Sequence, residues 1–225
     1  MTGAGVTSEE PVLPRPGKPV CSSMRARLRA ATAEAHERMH AHPGFAAAAA
    51  GVIRIADYRR LLARVYGFHR PFELAARKAV ASSGLDFDVE ERARSPALLA
   101  DLKSLGLRSD AIARLPLWAP RGSFGSLGAI LGAFYVLEGS TLGGVQIARA
   151  LRGVVGDDSG NGTRFFLGRG DRQSEMWIEF VRRLESLSGD PNDSEDAVRV
   201  AVATFKDFEA WMDGWTILPA CVAPL

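Results

Sequence analysis

The spacing of apolar residues predicts a chain built from helices. After Asp57, the apolar residues Leu61, Val65 and Phe68 recur at intervals of three or four residues, which is the period of an amphipathic helix. Asp57 can cap this helix, which is predicted to run to about Ser82. No segment alternates apolar and polar residues over several positions, as a half-buried strand does. The pattern therefore predicts an all-α fold without a sheet.

Capping residues and helix breakers indicate the other boundaries. Ser23 can cap a first helix to about Ala41, which Pro43 and Gly44 end before a short Ala-rich piece. Pro71 has no N–H to donate and should kink the helix that contains it. Further helices are predicted over 95–105, 109–115, 123–151, 171–187 and 194–215, with a Gly- and Asp-rich loop over 153–170 that Arg164–Leu167 interrupts.

Length and composition favour one ordinary globular domain. Residues 1–22 lack periodicity and are predicted to be a disordered N-terminal tail, which leaves 23–225 as a single helical domain. The formal net charge is only +2 and the basic residues are scattered among acids, so the sequence gives little support for nucleic-acid binding. Cys21 and Cys221 form no disulfide framework, which favours a reducing cytoplasm. We find no uninterrupted apolar run of the roughly 18–20 residues that a membrane span needs.

His36 is the first candidate for chemistry. A lone histidine on a helix is more often a surface or packed residue than a ligand. Here Thr32, Ala35 and Met39 give its surroundings small or apolar side chains, so a flat ligand could lie against that face. Arg29 lies two turns earlier along the same face and suits a carboxylate on such a ligand. The sequence therefore suggests an iron cofactor bound by the His36 imidazole.

His40 follows His36 by one helical turn and leaves several alternatives open. This spacing can serve zinc, although only His42 and His69 remain as further histidines and no cysteine pair exists. Glu37 and His40 resemble half of a di-iron carboxylate site, but a second such motif is absent. His40 could instead hydrogen-bond the free nitrogen of His36, or it could simply be exposed.

Glycines crowd the apolar segment predicted as the helix over 123–151. Each glycine inside a helix costs about 0.5–1 kcal/mol relative to alanine, so the segment must gain something from them. Close helix packing can explain the glycines at 125, 128 and 132. A bend between Gly139 and Gly144 would instead let bare backbone approach a planar ligand opposite an imidazole.

These segments resemble a known family. Leu28–Met39 and Tyr135–Ile147 look like the proximal and distal helices of haem oxygenases. The run Glu138-Gly-Ser-Thr-Leu-Gly-Gly144 is most similar to the bacterial enzymes that accompany bacteriophytochromes. Arg164–Phe166 and Ala203–Trp211 fit the same group, and the likeness covers roughly 24–215. It implies an all-α, single-domain haem oxygenase-like helical bundle with a kinked, glycine-rich distal helix.

The resemblance also implies a set of site residues. His36 matches the proximal iron ligand, and Gly139 and Gly143 match the distal backbone glycines, beside Ser140 and Gly144. Three departures bear on the proton route and on haem orientation, which selects the meso carbon attacked: animal enzymes have an aspartate at Ser140, a cation at Glu179 and a tyrosine at Phe134. The remaining residues implied to contact haem are Arg29, Thr32, Met39, Tyr135, Arg183, Phe205 and Phe208.

The activity that the resemblance implies is cleavage of haem, as both cofactor and substrate, to biliverdin, iron and carbon monoxide. It needs O₂ and an external electron donor such as a ferredoxin, a flavoprotein or ascorbate, and a bacteriophytochrome is a candidate acceptor of biliverdin. Two alternatives remain. One is a haem-binding or haem-sensing protein on the same fold that does not turn over. The other is a helical protein with a different small ligand, in which His36 is structural.

Overall fold

The computed structural model describes residues 23–122, 124–140, 143–156 and 161–216, and these contain helices and turns but no strand. The prediction of an all-α fold is therefore confirmed, whereas the tail predicted over 1–22 lies outside the described residues. The helices are α1 Met24–Ala41, α2 Pro43–Ala49, α3 Ile55–Ser83, α4 Val89–Arg92, α5 Ser95–Ser104, α6 Ser109–Ala113, α7 Leu127–Gly139, α8 Gly144–Ala150, α9 Arg152–Val155, α10 Arg164–Leu167, α11 Gln173–Ser186 and α12 Pro191–Met212.

Two predicted helix caps have different outcomes. Ser23 caps α1 as expected, because its side chain accepts a hydrogen bond from the backbone N–H of Ala26 at 3.2 Å. Asp57 does not cap α3. It lies in the first turn, buried, where its carboxylate pairs with Arg54 at 2.7 Å and Arg60 at 3.3 Å. A carboxylate in the first turn still stabilises the positive end of the helix dipole.

The helix predicted over 123–151 is wrong as a single element. Ser123 lies outside the described residues, and α7 is capped by Ser126, whose hydroxyl accepts from Ala129 N at 3.1 Å. The helix ends at Gly139, and α8 begins at Gly144. The break falls where the glycine pattern predicts a bend.

Pro71 does not interrupt α3, and a neighbouring segment supplies what the proline lacks. In a helix, the carbonyl of Gly67 would accept a hydrogen bond from the N–H of residue 71, which proline does not have. The backbone N–H of Trp118 donates to that carbonyl instead, at 2.8 Å. Gly67 permits this approach, since a Cβ there would lie 2.4 Å from Pro116 O.

Helix α12 organises the bundle, since α7, α1 and α3 all pack against it. Predicted to start at Ser194, it begins at Pro191, because the Asp190 carboxylate accepts from the next free backbone N–H groups. Its contact with α7 is backbone against backbone. A Cβ on Gly128 would lie 2.0 Å from Asp193 O, and one on Gly132 would lie 2.1 Å from Ala197 O. The prediction that these two glycines serve packing is confirmed.

The sequence interpretation of membrane spans needs one correction. The 24-residue stretch Leu127–Ala150, which runs from the start of α7 to the end of α8, is long and apolar enough to cross a membrane by length and composition, with a mean hydropathy of 1.2 over its most apolar part. The most apolar part of this stretch is 69% buried inside the protein. This burial is what the core helix of a globular bundle shows, because such a helix is covered by protein on most sides.

Candidate active site

Helices α1 and α7 meet around Tyr135. Burial raises the pKa of Tyr135, while the cations Arg25 and Arg29 and a hydrogen bond with Thr32 act in the opposite direction. The Tyr135 ring also lies 6.3 Å from the ring of Trp177, over which the Arg25 guanidinium is placed at 5.8 Å. One corner of the site therefore combines two exposed cations with a phenol and an indole.

One turn beyond this corner lie His36 of α1 and Gly139 of α7. Residues four apart share a face of a helix, so His36 succeeds Thr32 on α1 and Gly139 succeeds Tyr135 on α7. The His36 side chain is 52% exposed. A Cβ on Gly139 or Gly143 would meet no described atom within 4 Å. We call the space with His36 on one side and these two glycines on the other the α1–α7 cleft.

The surrounding helices enclose this cleft on further sides. Both α1 and α7 pack on α12, which forms the floor, and α2 contacts α8 at the end opposite Tyr135. Arg38 of α1 is fastened to α12 by a bidentate pair with Glu209, with bonds of 2.7 and 3.1 Å. On α12, Phe205 is buried, and Phe208 is partly buried 6.3 Å from Phe45 of α2. Met39 packs against the same apolar core.

Gly144 and Ser140 have contacts that distinguish them from the open glycines. A Cβ on Gly144 would lie 2.3 Å from Phe166 O, so this glycine lets α8 pack closely on α10. The Ser140 hydroxyl donates to Leu137 O at 2.7 Å. Its oxygen is left as an acceptor.

Arg183 is predicted to contact haem, but in the structure it lies beside Asp86 and Phe87. Its guanidinium donates to the backbone oxygen and the carboxylate of Asp86 and lies 5.9 Å from the ring of Phe87. The cation that joins Arg29 beside Tyr135 is Arg25, which the sequence interpretation missed. Its position one turn before Arg29 was the signal that could have identified it.

His36 and His40 lie against each other. Their Nε2 atoms are 3.3 Å apart, while the Nδ1 atom of His36 lies 3.8 Å from Glu37 Oε1. Within the described part of the chain, no group of three or more potential metal-ligating side chains of His, Cys, Asp or Glu is found. A structural zinc site of the usual four protein ligands is therefore not formed there.

A buried ionic cluster supports the end of α7, and the sequence interpretation missed it. The Glu138 side chain, only 1% exposed, accepts two hydrogen bonds from Arg169 at 2.9 and 3.0 Å and lies 3.8 Å from Arg92. Arg92 also reaches Glu179 at 3.7 Å. A lone glutamate in an apolar helix was the signal, because a buried carboxylate requires partners. The cluster holds the residue that precedes Gly139.

Comparison with known proteins identifies the class. The family model described as Heme oxygenase matches residues 22–214. The chain therefore belongs to the haem oxygenase family, haem-degrading enzymes for which haem is cofactor and substrate. A comparison with curated proteins finds no match.

Solved structures show the same fold. The NO- and CO-bound haem oxygenase from Neisseria meningitidis is 20% identical, with a TM-score of 0.65 over 91% of this chain and 98% of that one. The haem oxygenase from Leptospira interrogans is 15% identical, with a TM-score of 0.65 over 84% and 98%. Heme oxygenase-1 from the cyanobacterium Synechocystis, in complex with haem, is 16% identical, with a TM-score of 0.64 over 85% and 91%.

Proposed function

We propose that the α1–α7 cleft is the place where this haem oxygenase binds and cleaves haem, with His36 as the iron ligand. The observation that carries the proposal is the difference among the glycines of the α7–α8 region. A Cβ on Gly128, Gly132 or Gly144 would meet neighbouring backbone, whereas a Cβ on Gly139 or Gly143 would meet no described atom within 4 Å. Packing explains the first three and leaves these two for a ligand.

The residues around the cleft fit haem. Phe205 belongs to the apolar core, and Met39 and Phe208 pack against it, so these side chains would offer a flat, apolar ring an apolar surface. The carboxylates of haem suit Arg25 and Arg29. A charge-assisted hydrogen bond contributes about 1.5–3 kcal/mol when shielded from water, and less at these exposed positions. In this arrangement Tyr135 and Thr32 would lie near the same end of the ring.

The protein contributes position and electrostatics. When bound, haem supplies the iron that activates O₂ and the ring that is oxidised. Neutral His36 would hold the iron from the α1 side. Gly139 and Gly143 would leave space on the other side for a diatomic molecule and place no acidic or basic side chain there. The Ser140 oxygen can accept a hydrogen bond from water, and Arg183 stays a prediction as a second contact for a haem carboxylate.

The test is haem titration of the haem-free protein, followed by a reductant under air. Wild type should give a histidine-ligated Soret band and then the absorption of biliverdin. Because His40 Nε2 lies 3.3 Å from His36 Nε2, His40 could replace a missing ligand, so the variant is the double change His36→Ala with His40→Ala. An unchanged ligand-sensitive spectrum in that variant would refute the assignment of His36. Haem binding without biliverdin from any reductant would favour a non-catalytic binder.

The electron donor, the acceptor and the compartment are further parts of this proposal. Electrons would come from a separate ferredoxin, flavoprotein or ascorbate, and a bacteriophytochrome would take up biliverdin in the bacterial cytoplasm. The likeness of Glu138–Gly144 to bacteriophytochrome-associated enzymes supports the acceptor. Parallel turnover assays with reduced ferredoxin, flavoprotein and ascorbate would rank the donors. An equal rate with all three would count against a specific protein donor.

A further inference from the structure

A short segment touches both sides of the interruption between α7 and α8. We call Arg164–Arg169, which consists of α10 and the two residues after it, the α10 segment. The Arg169 guanidinium donates to both carboxylate oxygens of Glu138, in the last turn of α7, at 2.9 and 3.0 Å. Three residues earlier in the chain, the carbonyl of Phe166 lies so close to Gly144 that a Cβ there would have no room. The α10 segment therefore contacts both the end of α7 and the first residue of α8.

The α10 segment is itself fixed to other helices. The buried carboxylate of Asp101 in α5 accepts hydrogen bonds from the backbone N–H groups of the first two residues of α10, at 2.9 and 2.8 Å. At the other end, the side-chain oxygen of Gln173 in α11 accepts from the backbone N–H of Arg169 at 3.2 Å. Because the backbone is held at both ends, the Arg169 side chain can resist a displacement of Glu138.

The pair of Arg169 and Glu138 fixes direction as well as distance. The Glu138 side chain is 1% exposed and the Arg169 side chain 11%. Two N–H···O bonds from one planar guanidinium leave a carboxylate little freedom to rotate, whereas a lysine ammonium would hold it only as a point charge. Arg92 lies 3.8 Å from Glu138, so it supplies positive charge rather than direction. The orientation of the residue before Gly139 therefore depends on Arg169.

We propose that Arg169 is a positioning residue for haem cleavage, acting through Glu138 on the backbone of Gly139. The inference rests on the proposed function, in which that backbone borders bound haem. Gly139 has no side chain that could adjust, so a displacement of the last turn of α7 changes the space beside the ligand directly. A misplacement of about 1 Å can lower the rate of an enzyme about a hundredfold. Arg169 itself contacts neither haem nor the reacting atoms.

The first experiment compares wild type with Arg169→Lys, which keeps the positive charge beside Glu138 but loses the fork. In the ferrous carbon monoxide complex, the infrared C–O band reports the surroundings of the bound gas, and it should shift or broaden in the variant. At saturating haem, biliverdin should form about 10–100-fold more slowly. Haem affinity should stay within about twofold of wild type, because Arg169 makes no contact with haem. A wild-type band or a wild-type rate in this variant would overturn the proposal.

Asp57→Asn is the matched control. It also removes the charge of a buried carboxylate with two arginine partners, Arg54 and Arg60, but it lies in the first turn of α3 and outside the α10 segment. This variant should lower the melting temperature and leave the carbon monoxide band unchanged. An equal change of the band in Asp57→Asn would assign the effect to general loosening and would refute the role of Arg169.

Hydrogen exchange of the haem-free protein tests the same contact without a ligand. In Arg169→Lys the amide hydrogens of Glu138 and Gly139 should exchange faster, whereas that of Gly132, packed against α12, should keep its wild-type rate. Wild-type exchange throughout α7 would count against the proposal. If wild type binds no haem, the proposed function fails. If wild type cleaves haem and Arg169→Lys matches it in band, rate and exchange, only this inference fails.

Discussion

The contact between α7 and α12 predicts that two glycines of one helix respond oppositely to the same methyl group. In Gly132→Ala the new Cβ would lie 2.1 Å from Ala197 O, and Cβ contacts under 3.0 Å essentially never occur. The obstacle is backbone of a long helix, so no side chain can rotate away. In Gly139→Ala the Cβ meets no described atom within 4 Å.

The two effects can be estimated separately. Overpacking of a well-packed core typically costs about 1–3 kcal/mol, and the rigid obstacle at Gly132 places this variant at the upper end. The higher helix propensity of alanine stabilises the variant by about 1 kcal/mol. The net loss for Gly132→Ala is therefore about 2 kcal/mol. In Gly139→Ala only the helix propensity of alanine contributes. The free energy of unfolding should therefore rise by between zero and about 1 kcal/mol.

Thermal unfolding of the haem-free variants measures this difference. For a domain of this size, 1 kcal/mol shifts Tm by about 2–4 °C, so Gly132→Ala should melt about 4–8 °C below wild type and Gly139→Ala at or slightly above it. Among folded molecules, Gly139→Ala should turn over haem more slowly than Gly132→Ala, because, of these two positions, only 139 is proposed to face the cleft. If Gly132→Ala is as stable as Gly139→Ala, the backbone contact between α7 and α12 is not as close as described.

Three further predictions concern binding, stability and pH. Arg29→Glu should weaken haem binding about tenfold, and Arg183→Glu should weaken it less, because Arg183 must leave Asp86 before it can contact haem; equal haem affinities of Arg29→Glu and wild type in spectroscopic titrations would contradict the role of Arg29. Glu138→Gln should lower the free energy of unfolding by about 3 kcal/mol in urea titrations, since Arg169 loses a buried anion; a change under about 0.5 kcal/mol would mean that the pair contributes little. Burial lowers the pKa of His42, whose neutral Nδ1 caps α2, so its contribution is present above the unfolded pKa of about 6.5 and is lost as pH falls through the folded value. His42→Asn keeps a capping acceptor and should flatten this part of the stability–pH curve; an unaltered curve would assign the loss to other groups.

Local features of the fold could be predicted from the sequence because neighbouring residues determine them. The Ser23 cap and the helical spacing of α3 depend on atoms within a turn or two of each other. The end of α7 at Gly139 follows similarly from the cost of glycine in a helix. The predicted start of α12 at Ser194 was wrong because a better capping residue precedes it. The Asp190 carboxylate caps the helix, which therefore begins at Pro191.

The parts that could not be predicted depend on which element lies opposite. The sequence predicts that Gly132 serves packing, but only the structure shows that the backbone it meets is that of α12 at Ala197. Arg183 was expected to contact haem at the end of the pocket opposite Arg29, and the structure pairs its guanidinium with Asp86. Which residue a side chain meets depends on how the whole helix packs, and no local pattern encodes that packing.

The backbone contacts that Gly128 and Gly132 of α7 make with α12 hold α7 more rigidly than α1. Helices in backbone contact cannot separate or slide without losing close packing along several turns. Helix α1 is fastened differently, since Arg38 of α1 pairs with Glu209 while Glu185 of α11 accepts from the backbone N–H groups of Met24 and Arg25. Polar links of this exposed kind contribute little each. We therefore expect α1 and not α7 to move when a ligand as large as haem enters the cleft, and the amide hydrogens of α1 should exchange with solvent before those of α7.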